Sequence, residues 1–136
     1  MRRAARVDAN HPRLISDHMM HFTIPIKTVS GMNVREHWAV RAKRVKTERS
    51  VSFLCTKRTP IGVPLPVIVT LCRVSPGVLD DDNLRSALKG VRDGIADAYE
   101  VADNDPRIRW CYKQEKCKRG HYEVSVAIQH VKNCDP

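Results

Sequence analysis

Residues 66–99 read PVIVTLCRVSPGVLDDDNLRSALKGVRDGIADAY and contain the clearest strand pattern of the chain, followed by a helical one. The first part of this stretch, from Pro66 to Val74, is rich in β-branched residues and almost continuously apolar, which predicts a central strand. Ser75-Pro76-Gly77 then ends that strand. From Asp82 to Tyr99 apolar residues recur at helical spacing. We therefore expect a strand that leads through a short turn into an amphipathic helix.

The flanking sequence predicts the remaining elements. His21 to Ile26 has a short strand pattern, and Pro25 confines it to an edge or a strand end. A helix is expected to begin at Asn33, with Glu36 completing a capping box, and to run to about Cys55. Residues 107–114 and 121–129 have strand patterns around a polar turn, which predicts a hairpin. The order β-α-β-α-β-β predicts an α+β domain, a small mixed sheet with two main helices packed on one face.

The chain length of 136 residues fits one domain, which we place at residues 21–132. We interpret residues 1–20 as a flexible basic N-terminal arm and residues 133–136 as a C-terminal tail. No apolar run approaches the ~20 residues that span a bilayer, and the basic start lacks the apolar core of a signal peptide, so a cytoplasmic protein without a membrane partner is expected. The five cysteines form no Cys-x-x-Cys pair, so we expect neither a disulfide framework nor zinc.

The charge balance indicates a polyanionic partner. Lys and Arg number 24 against 15 acids, which gives a formal net charge of +9. Such an excess on a small domain favours nucleic acid, although an anionic membrane surface and an acidic protein are open alternatives on composition alone.

The predicted first helix carries much of this positive charge. Its cationic positions are Arg35, Arg41, Lys43, Arg44, Lys46 and Arg49. Trp38, Ala39, Ala42 and Val45 form a predicted apolar stripe on the same helix. Most charged helix faces are only solvated, but six cations against two acids favour contact with phosphates.

An acidic cluster, Leu79-Asp80-Asp81-Asp82-Asn83-Leu84, opens the second predicted helix. At about 100° per residue, its apolar positions (84, 88, 91, 95 and 98) lie on one side, and Asp82, Arg85 and Lys89 lie on the other. Close carboxylates repel one another unless a cation lies between them, and Mg²⁺ prefers carboxylate, water and phosphate oxygens. The alternative is that these acids cap the helix and complement its dipole.

A second acidic segment, Asp103-Asn104-Asp105-Pro106, follows the same helix and precedes a strand. It is either a polar turn or a second part of a metal site. If the strand after it pairs beside Pro66–Val74, Asp105 could approach Asp80 and Asp82, so that three acids converge on one or two metals.

The two acidic segments and the helix between them resemble the RusA family of Holliday junction resolvases (crossover junction endodeoxyribonucleases) and their phage-encoded relatives. The family's core signature is Asp-x-Asp-Asn-Leu, an amphipathic helix, and a later Asp-containing turn that leads into a strand. Here these parts are residues 80–84, 85–99 and 103–108. Ile24-Pro25-Ile26, with Ser30 and Asn33 after it, is similar to the family's opening strand and loop. The resemblance spans residues 21–130.

This resemblance implies a RusA-like fold and a Mg²⁺-dependent endonuclease, with Mn²⁺ as a substitute, that acts as a homodimer. It implies paired nicks across a four-way junction, as in DNA recombination and DNA repair, within a bacterial cell or phage-infected host. Asp80 and Asp82 match the family's first acidic pair. Asp105 best matches the late acid, and Asp103 is the second choice for that metal-binding role.

The chain departs from the family at two positions. Ser86 stands where the family usually has a catalytic lysine, and the nearest lysine, Lys89, lies on the same helix side one turn further along. Leu79 replaces the family's basic residue before the first aspartate. Lys89 is therefore assigned the role of stabilising the transition state or the leaving oxygen.

The resulting hypothesis is metal-assisted phosphodiester hydrolysis in branched DNA. In it, Asp80, Asp82 and Asp105 hold Mg²⁺, and the basic helix together with Arg85 binds flanking phosphates. Two alternatives stay open. The protein is a non-catalytic DNA-binding protein whose acids only cap helices, or a structure-selective nuclease that prefers forks or flaps.

Overall fold

The fold is a mixed β-sheet with helices packed on one face, which confirms the predicted α+β class. The computed structural model describes residues 13–16, 19–30, 37–58 and 62–131. Five strands form the sheet in the order β1-β2-β5-β3-β4. The elements are β1 (Arg13–Ser16), β2 (Met19–Ile24), α1 (Trp38–Lys57), β3 (Val67–Ser75), α2 (Asp81–Ala87), α3 (Lys89–Ala98), β4 (Ile108–Lys116) and β5 (Glu123–His130).

Strand β3 lies between β4 and β5, inside the sheet as its sequence predicts. Its buried side chains alternate, with Val67, Val69 and Leu71 almost fully inaccessible and the residues between them half-buried. The strand register places the buried side chains of β2 and β5 on the same face of the sheet as those of β3. The apolar sides of the helices pack against this face. The helix residues of this core are Leu84, Leu88, Val91 and Ile95.

Strand β4 pairs with β3 in parallel, whereas β5 pairs with β3 in the antiparallel sense. Helices α2 and α3 return the chain from the end of β3 to its beginning, which is the connection that a parallel pair requires. The predicted hairpin is therefore wrong: the last two segments do form strands, β4 and β5, but β3 lies between them in the sheet.

The predicted helix from Asp82 to Tyr99 is present as two helices, with Leu88 between them. The Leu88 N–H still donates to the Leu84 carbonyl at 3.1 Å, so the irregularity is confined to one residue. The side of this helix pair that was predicted to be apolar is buried, and Asp82, Arg85 and Lys89 are exposed on the other side, as predicted.

The first helix begins later than the sequence predicts. Helix α1 begins at Trp38, and His37 caps it by accepting the Ala39 N–H at Nδ1. The predicted capping box, Asn33 and Glu36, lies outside the described residues. So do most of the predicted N-terminal arm and the C-terminal tail, although residues 13–16 of the arm segment pair with β2 as β1. None of the described helices is both long enough and apolar enough to cross a bilayer.

The predicted apolar stripe of α1 is wrong. Trp38 is 75% exposed, Ala39 and Ala42 are also exposed, and only Val45 is half-buried. The residues of α1 that are buried are Glu48, Ser52 and Thr56. Small and polar side chains pack there because α3 presents two glycines to α1.

Gly90 and Gly94 let the α3 backbone approach α1 closely. A Cβ at Gly94 would collide with the Arg49 carbonyl oxygen and lie 2.7 Å from Ser52 Cβ. A Cβ at Gly90 would lie 2.7 Å from Glu48 Oε1. The Gly94 clash involves a backbone atom, which can move only with the helix, so α1 and α3 are packed without room for one methyl group.

We expect Gly94→Ala to lower the free energy of unfolding by about 1–3 kcal/mol, because overpacking outweighs the better helix propensity of alanine. Urea denaturation followed by circular dichroism measures the change. Gly77→Ala is the matched control, since a Cβ at Gly77 has no atom within 4 Å. Equal stability of the two variants would contradict the close packing of α1 against α3.

Candidate functional site

Asp80 is the N-cap of α2, at the end of the chain segment that leaves β3. Its Oδ1 accepts hydrogen bonds from the backbone N–H and the side-chain amide of Asn83, both at 2.9 Å. The backbone bond from Asn83, followed by the side-chain bond, lowers the pKa of Asp80. Asp81 and Asp82 lie in the first turn and are exposed. The capping interpretation therefore holds for Asp80, and Asp82 lies two residues beyond the cap.

Two segments that are distant in sequence form hydrogen bonds with the turn that contains Asp80. Ser30, which follows β2, donates from its buried hydroxyl to Asn83 Oδ1. On the other side, the Gln114 amide group accepts from the Leu79 N–H at 2.9 Å and donates to the Leu79 carbonyl at 2.6 Å. The Ser30 loop and the Asp-x-Asp-Asn-Leu segment, which carry the resemblance at separate places in the sequence, are thus in contact.

Arg73 anchors the same region and was not predicted. It is a buried residue of β3, only 7% exposed, and burial lowers its pKa. Its guanidinium donates to the hydroxyl of Thr28 at 3.2 Å, to the Thr28 carbonyl at 3.3 Å and to the Gly77 carbonyl at 3.1 Å. The sequence feature that could have identified it is an arginine at a position of β3 whose side chain points toward the core. Arg73 ties the loop after β2 to the loop after β3.

The second acidic segment is neutralised by neighbouring cations. Asp105 accepts two side-chain hydrogen bonds from Arg107, at 3.0 and 2.9 Å, and these contribute most to the lowering of its pKa to about 2. Asp103 forms ion pairs with Lys89 Nζ at 2.8 Å and with Arg92 Nε at 3.1 Å. Both candidates for the late acid are therefore engaged by positive charge.

The two acidic segments do not converge within one chain. Leu79 is bonded to Gln114, whereas Asp105 directly precedes the start of β4. Six strand positions separate Ile108 from Gln114, which is about 20 Å at ~3.3 Å per residue. In the part of the chain that the structure describes, no three His, Cys, Asp or Glu side chains form a group that could hold a metal. The strand after Asp105 does pair beside β3, but its parallel direction puts the two acidic segments at opposite ends.

Lys89 is held by two carboxylates. Its Nζ lies 2.8 Å from Asp93 Oδ1 and 2.8 Å from Asp103 Oδ2. Burial opposes the charge on Lys89, but the hydrogen bonds with Asp103 and Asp93 outweigh it, so that the pKa of Lys89 is raised. Lys89 is thus a fixed cation on the same helix side as Asp82.

A cleft of about 480 Å³ opens between α1 and the α2–α3 pair, and we refer to it as the basic cleft. Among the residues that the structure describes, Glu48 is the only acidic one that lines it, and it is buried and pairs with Arg44 at 3.4 Å. Ser86 and Tyr112 also line it. The cationic lining residues are Arg41, Arg44, Arg85, Lys89 and Arg92.

The described residues among those predicted to bind DNA divide into three groups. Arg41, Arg44 and Arg85 line the basic cleft. Lys43 and Lys46 are exposed and project from the opposite side of α1. Arg49 is bound to Asp97 through two hydrogen bonds of 2.5 and 2.7 Å, and Arg35 lies outside the described residues.

Tyr112 lines the basic cleft and contacts two of its arginines. The Arg85 guanidinium lies over its ring at 4.8 Å from the centroid, and Arg92 donates to its hydroxyl at 2.8 Å. Arg92 also lies over the ring of Trp110 at 5.0 Å. Sequence reasoning missed Arg92 and Tyr112. Two features of the sequence could have identified them: the seven-residue spacing of Arg92 from Arg85, and the two aromatic residues at alternate positions on the inward face of β4.

No family model matches this chain. It is similar to an uncharacterized protein of Xylella fastidiosa (strain Temecula1 / ATCC 700964), with 33% identity over 86 residues. The aligned region covers 58% of this chain and 56% of that relative, so the chain spans little more than half of the relative's length.

The ion pair of Asp105 gives a testable titration. We expect Asp105 to stay ionised until the pH falls to about 2, and Arg107→Gln to raise its pKa toward the ordinary value of 3.8. Because the folded-state pKa is depressed, any stability from this pair is present above the ordinary value and is lost as the pH falls through about 2. An NMR titration of the Asp105 carboxyl carbon measures the pKa, with Lys43→Gln as the control. An unchanged pKa in Arg107→Gln would rule out the assigned cause.

Proposed function

We propose that the protein is a Mg²⁺-dependent endodeoxyribonuclease that hydrolyses phosphodiester bonds in branched DNA, as the RusA-type resemblance implies. The observation that supports this most is the position of Asp82 on the same helix side as Arg85, Ser86 and Lys89, which line the basic cleft. A carboxylate that can bind a cation is thus adjacent to a surface suited to phosphates.

Asp80 and Asp82 are the residues that would hold the metal. Mg²⁺ is commonly bound by one or two carboxylates together with waters and substrate phosphate, so two acids fit this ion. Both hydrogen bonds to Asp80 use Oδ1, and Asp80 and Asp82 form no ion pair among the described residues. When bound, Mg²⁺, or Mn²⁺ in its place, activates water and neutralises charge on the phosphate.

The remaining residues position the DNA and stabilise charge. Asn83, held by Ser30, fixes the orientation of the Asp80 carboxylate. Lys89 supplies a positive charge about two turns from Asp82. Its side chain is half-exposed, so its ion pairs cost little to rearrange around a phosphate. Arg41, Arg44 and Arg85 bind flanking phosphates, so DNA affinity falls steeply with salt.

A homodimer is part of this proposal. Paired nicks in two strands are most simply made by two copies related by a two-fold axis. Within one chain, Asp105 and Asp80 are separated by about 20 Å along the direction of the strands. If Asp105 contributes to a metal site, a second copy therefore has to supply it.

The deciding experiment is cleavage of a labelled synthetic four-way junction with and without Mg²⁺. We expect paired nicks from the wild type in Mg²⁺, and Asp82→Asn to abolish them while junction binding persists, because the substitution removes a metal-binding charge at an exposed position. Asp81→Asn is the matched control in the same helical turn and is expected to cleave. Turnover by Asp82→Asn at the wild-type rate would contradict the proposal.

One observation favours the second candidate, a DNA-binding protein without catalytic activity. Asp80 already caps α2, so its presence is explained without a metal. Tight metal-independent binding of the junction, with no nicks in Mg²⁺ or Mn²⁺, would establish this alternative. Cleavage of matched forks and flaps in place of the junction would identify the structure-selective nuclease instead.

A further inference from the structure

The basic cleft is concave and of limited size. It lies where α1 and the α2–α3 pair diverge, and its volume of about 480 Å³ is in the range that accommodates a nucleotide-sized ligand. A duplex presents its phosphates on a wide convex cylinder, whereas an unpaired strand can enter a concave groove. The shape of the basic cleft therefore favours a single strand.

The chemistry of the basic cleft combines positive charge with planar groups. Proteins that bind single strands use a cationic groove for the backbone and aromatic rings or guanidinium planes on which bases stack. Here Arg85 is exposed and its guanidinium lies over the Tyr112 ring. The cations that surround this stack are Arg41, Arg44, Lys89 and Arg92.

The central cations are also preorganised. Arg85 is held by the ring of Tyr112, and Arg92 is held by the Tyr112 hydroxyl. Side chains that are already fixed lose less conformational entropy when a ligand binds. Lys43 and Lys46, on the opposite side of α1, have no comparable aromatic support in the described part of the chain.

We infer that the basic cleft binds an unpaired nucleotide of the DNA substrate, with its phosphate among Arg41, Arg44 and Lys89 and its base stacked on the Arg85–Tyr112 pair. This inference rests on the proposed function and refines its substrate. It means that Asp82 acts beside a single-stranded segment, as at a flap, a splayed fork or an opened junction centre.

The test is fluorescence anisotropy with a labelled oligothymidylate and a duplex of equal length, measured with EDTA at fixed salt. We expect the full-length wild type to bind the single strand more tightly. Arg85→Gln and Tyr112→Leu are expected to weaken single-strand binding by about 5- to 50-fold while changing duplex binding less, because base–stacking contacts are lost.

Two control variants separate this role from a loss of folding. Tyr112→Phe keeps the ring under Arg85 and loses the bond to Arg92, so it is expected to retain most of the single-strand preference. Lys43→Gln removes a positive charge from the opposite side of α1 and is expected to leave the preference unchanged. Circular dichroism checks that each variant is folded, and the ratio of single-strand to duplex affinity is the readout that a purely structural role of Tyr112 would not move.

The outcomes distinguish this inference from the proposed nuclease activity. Equal affinity of the wild type for both DNAs, or the wild-type affinity ratio in both Arg85→Gln and folded Tyr112→Leu, would overturn the inference even if junctions are cleaved. A Tyr112- and Arg85-dependent preference in EDTA would support it even if no cleavage occurs in Mg²⁺, in which case only the nuclease proposal would fail.

Discussion

The close packing of α1 against α3 fixes the position of α1 and, with it, the basic cleft. At Gly94 the two backbones approach until no Cβ fits, and at Gly90 the side chain of Glu48 fills the space that a Cβ would take. Because the helices meet closely there, the cationic side of α1 faces the cationic side of α2 and α3 where they diverge. The basic cleft is a consequence of that geometry, and Glu48, which is buried at the contact and paired with Arg44, offsets part of the positive charge.

The turn before α2 is the second fixed part of the candidate site. Arg73, Ser30 and Gln114 come from three different parts of the chain and bond to the loop and cap around Asp80. A helix cap alone needs only the Asp80–Asn83 bonds. The additional buried polar contacts rigidify the position of Asp80 and Asp82, and rigid support is what a binding or catalytic carboxylate requires.

Sequence patterns predicted the elements that local periodicity determines, but not the contacts between distant segments. The apolar run of β3 and the apolar side of α2 and α3 were correct because burial imposes a period of two or 3.6 residues. The apolar stripe of α1 was wrong because glycines of α3, rather than apolar residues of α1, determine which side of α1 packs. Asp105 was expected near Asp80 from strand adjacency, but adjacency does not give direction, and the parallel pairing separates them. Arg92 and Tyr112 were missed because their pairing joins a helix to a strand 20 residues away.

We propose that Asp80, Asp82 and the basic cleft form one site, in which the two carboxylates bind a cation next to a surface that binds nucleic acid. The most direct test is a two-dimensional NMR titration of the ¹⁵N-labelled protein with an oligonucleotide and then with Mn²⁺. We expect the oligonucleotide to shift the amide signals of residues 85–92 and of Tyr112, and Mn²⁺ to broaden those of residues 80–83. Shifts confined to Lys43 and Lys46, with no Mn²⁺ broadening at residues 80–83, would contradict it.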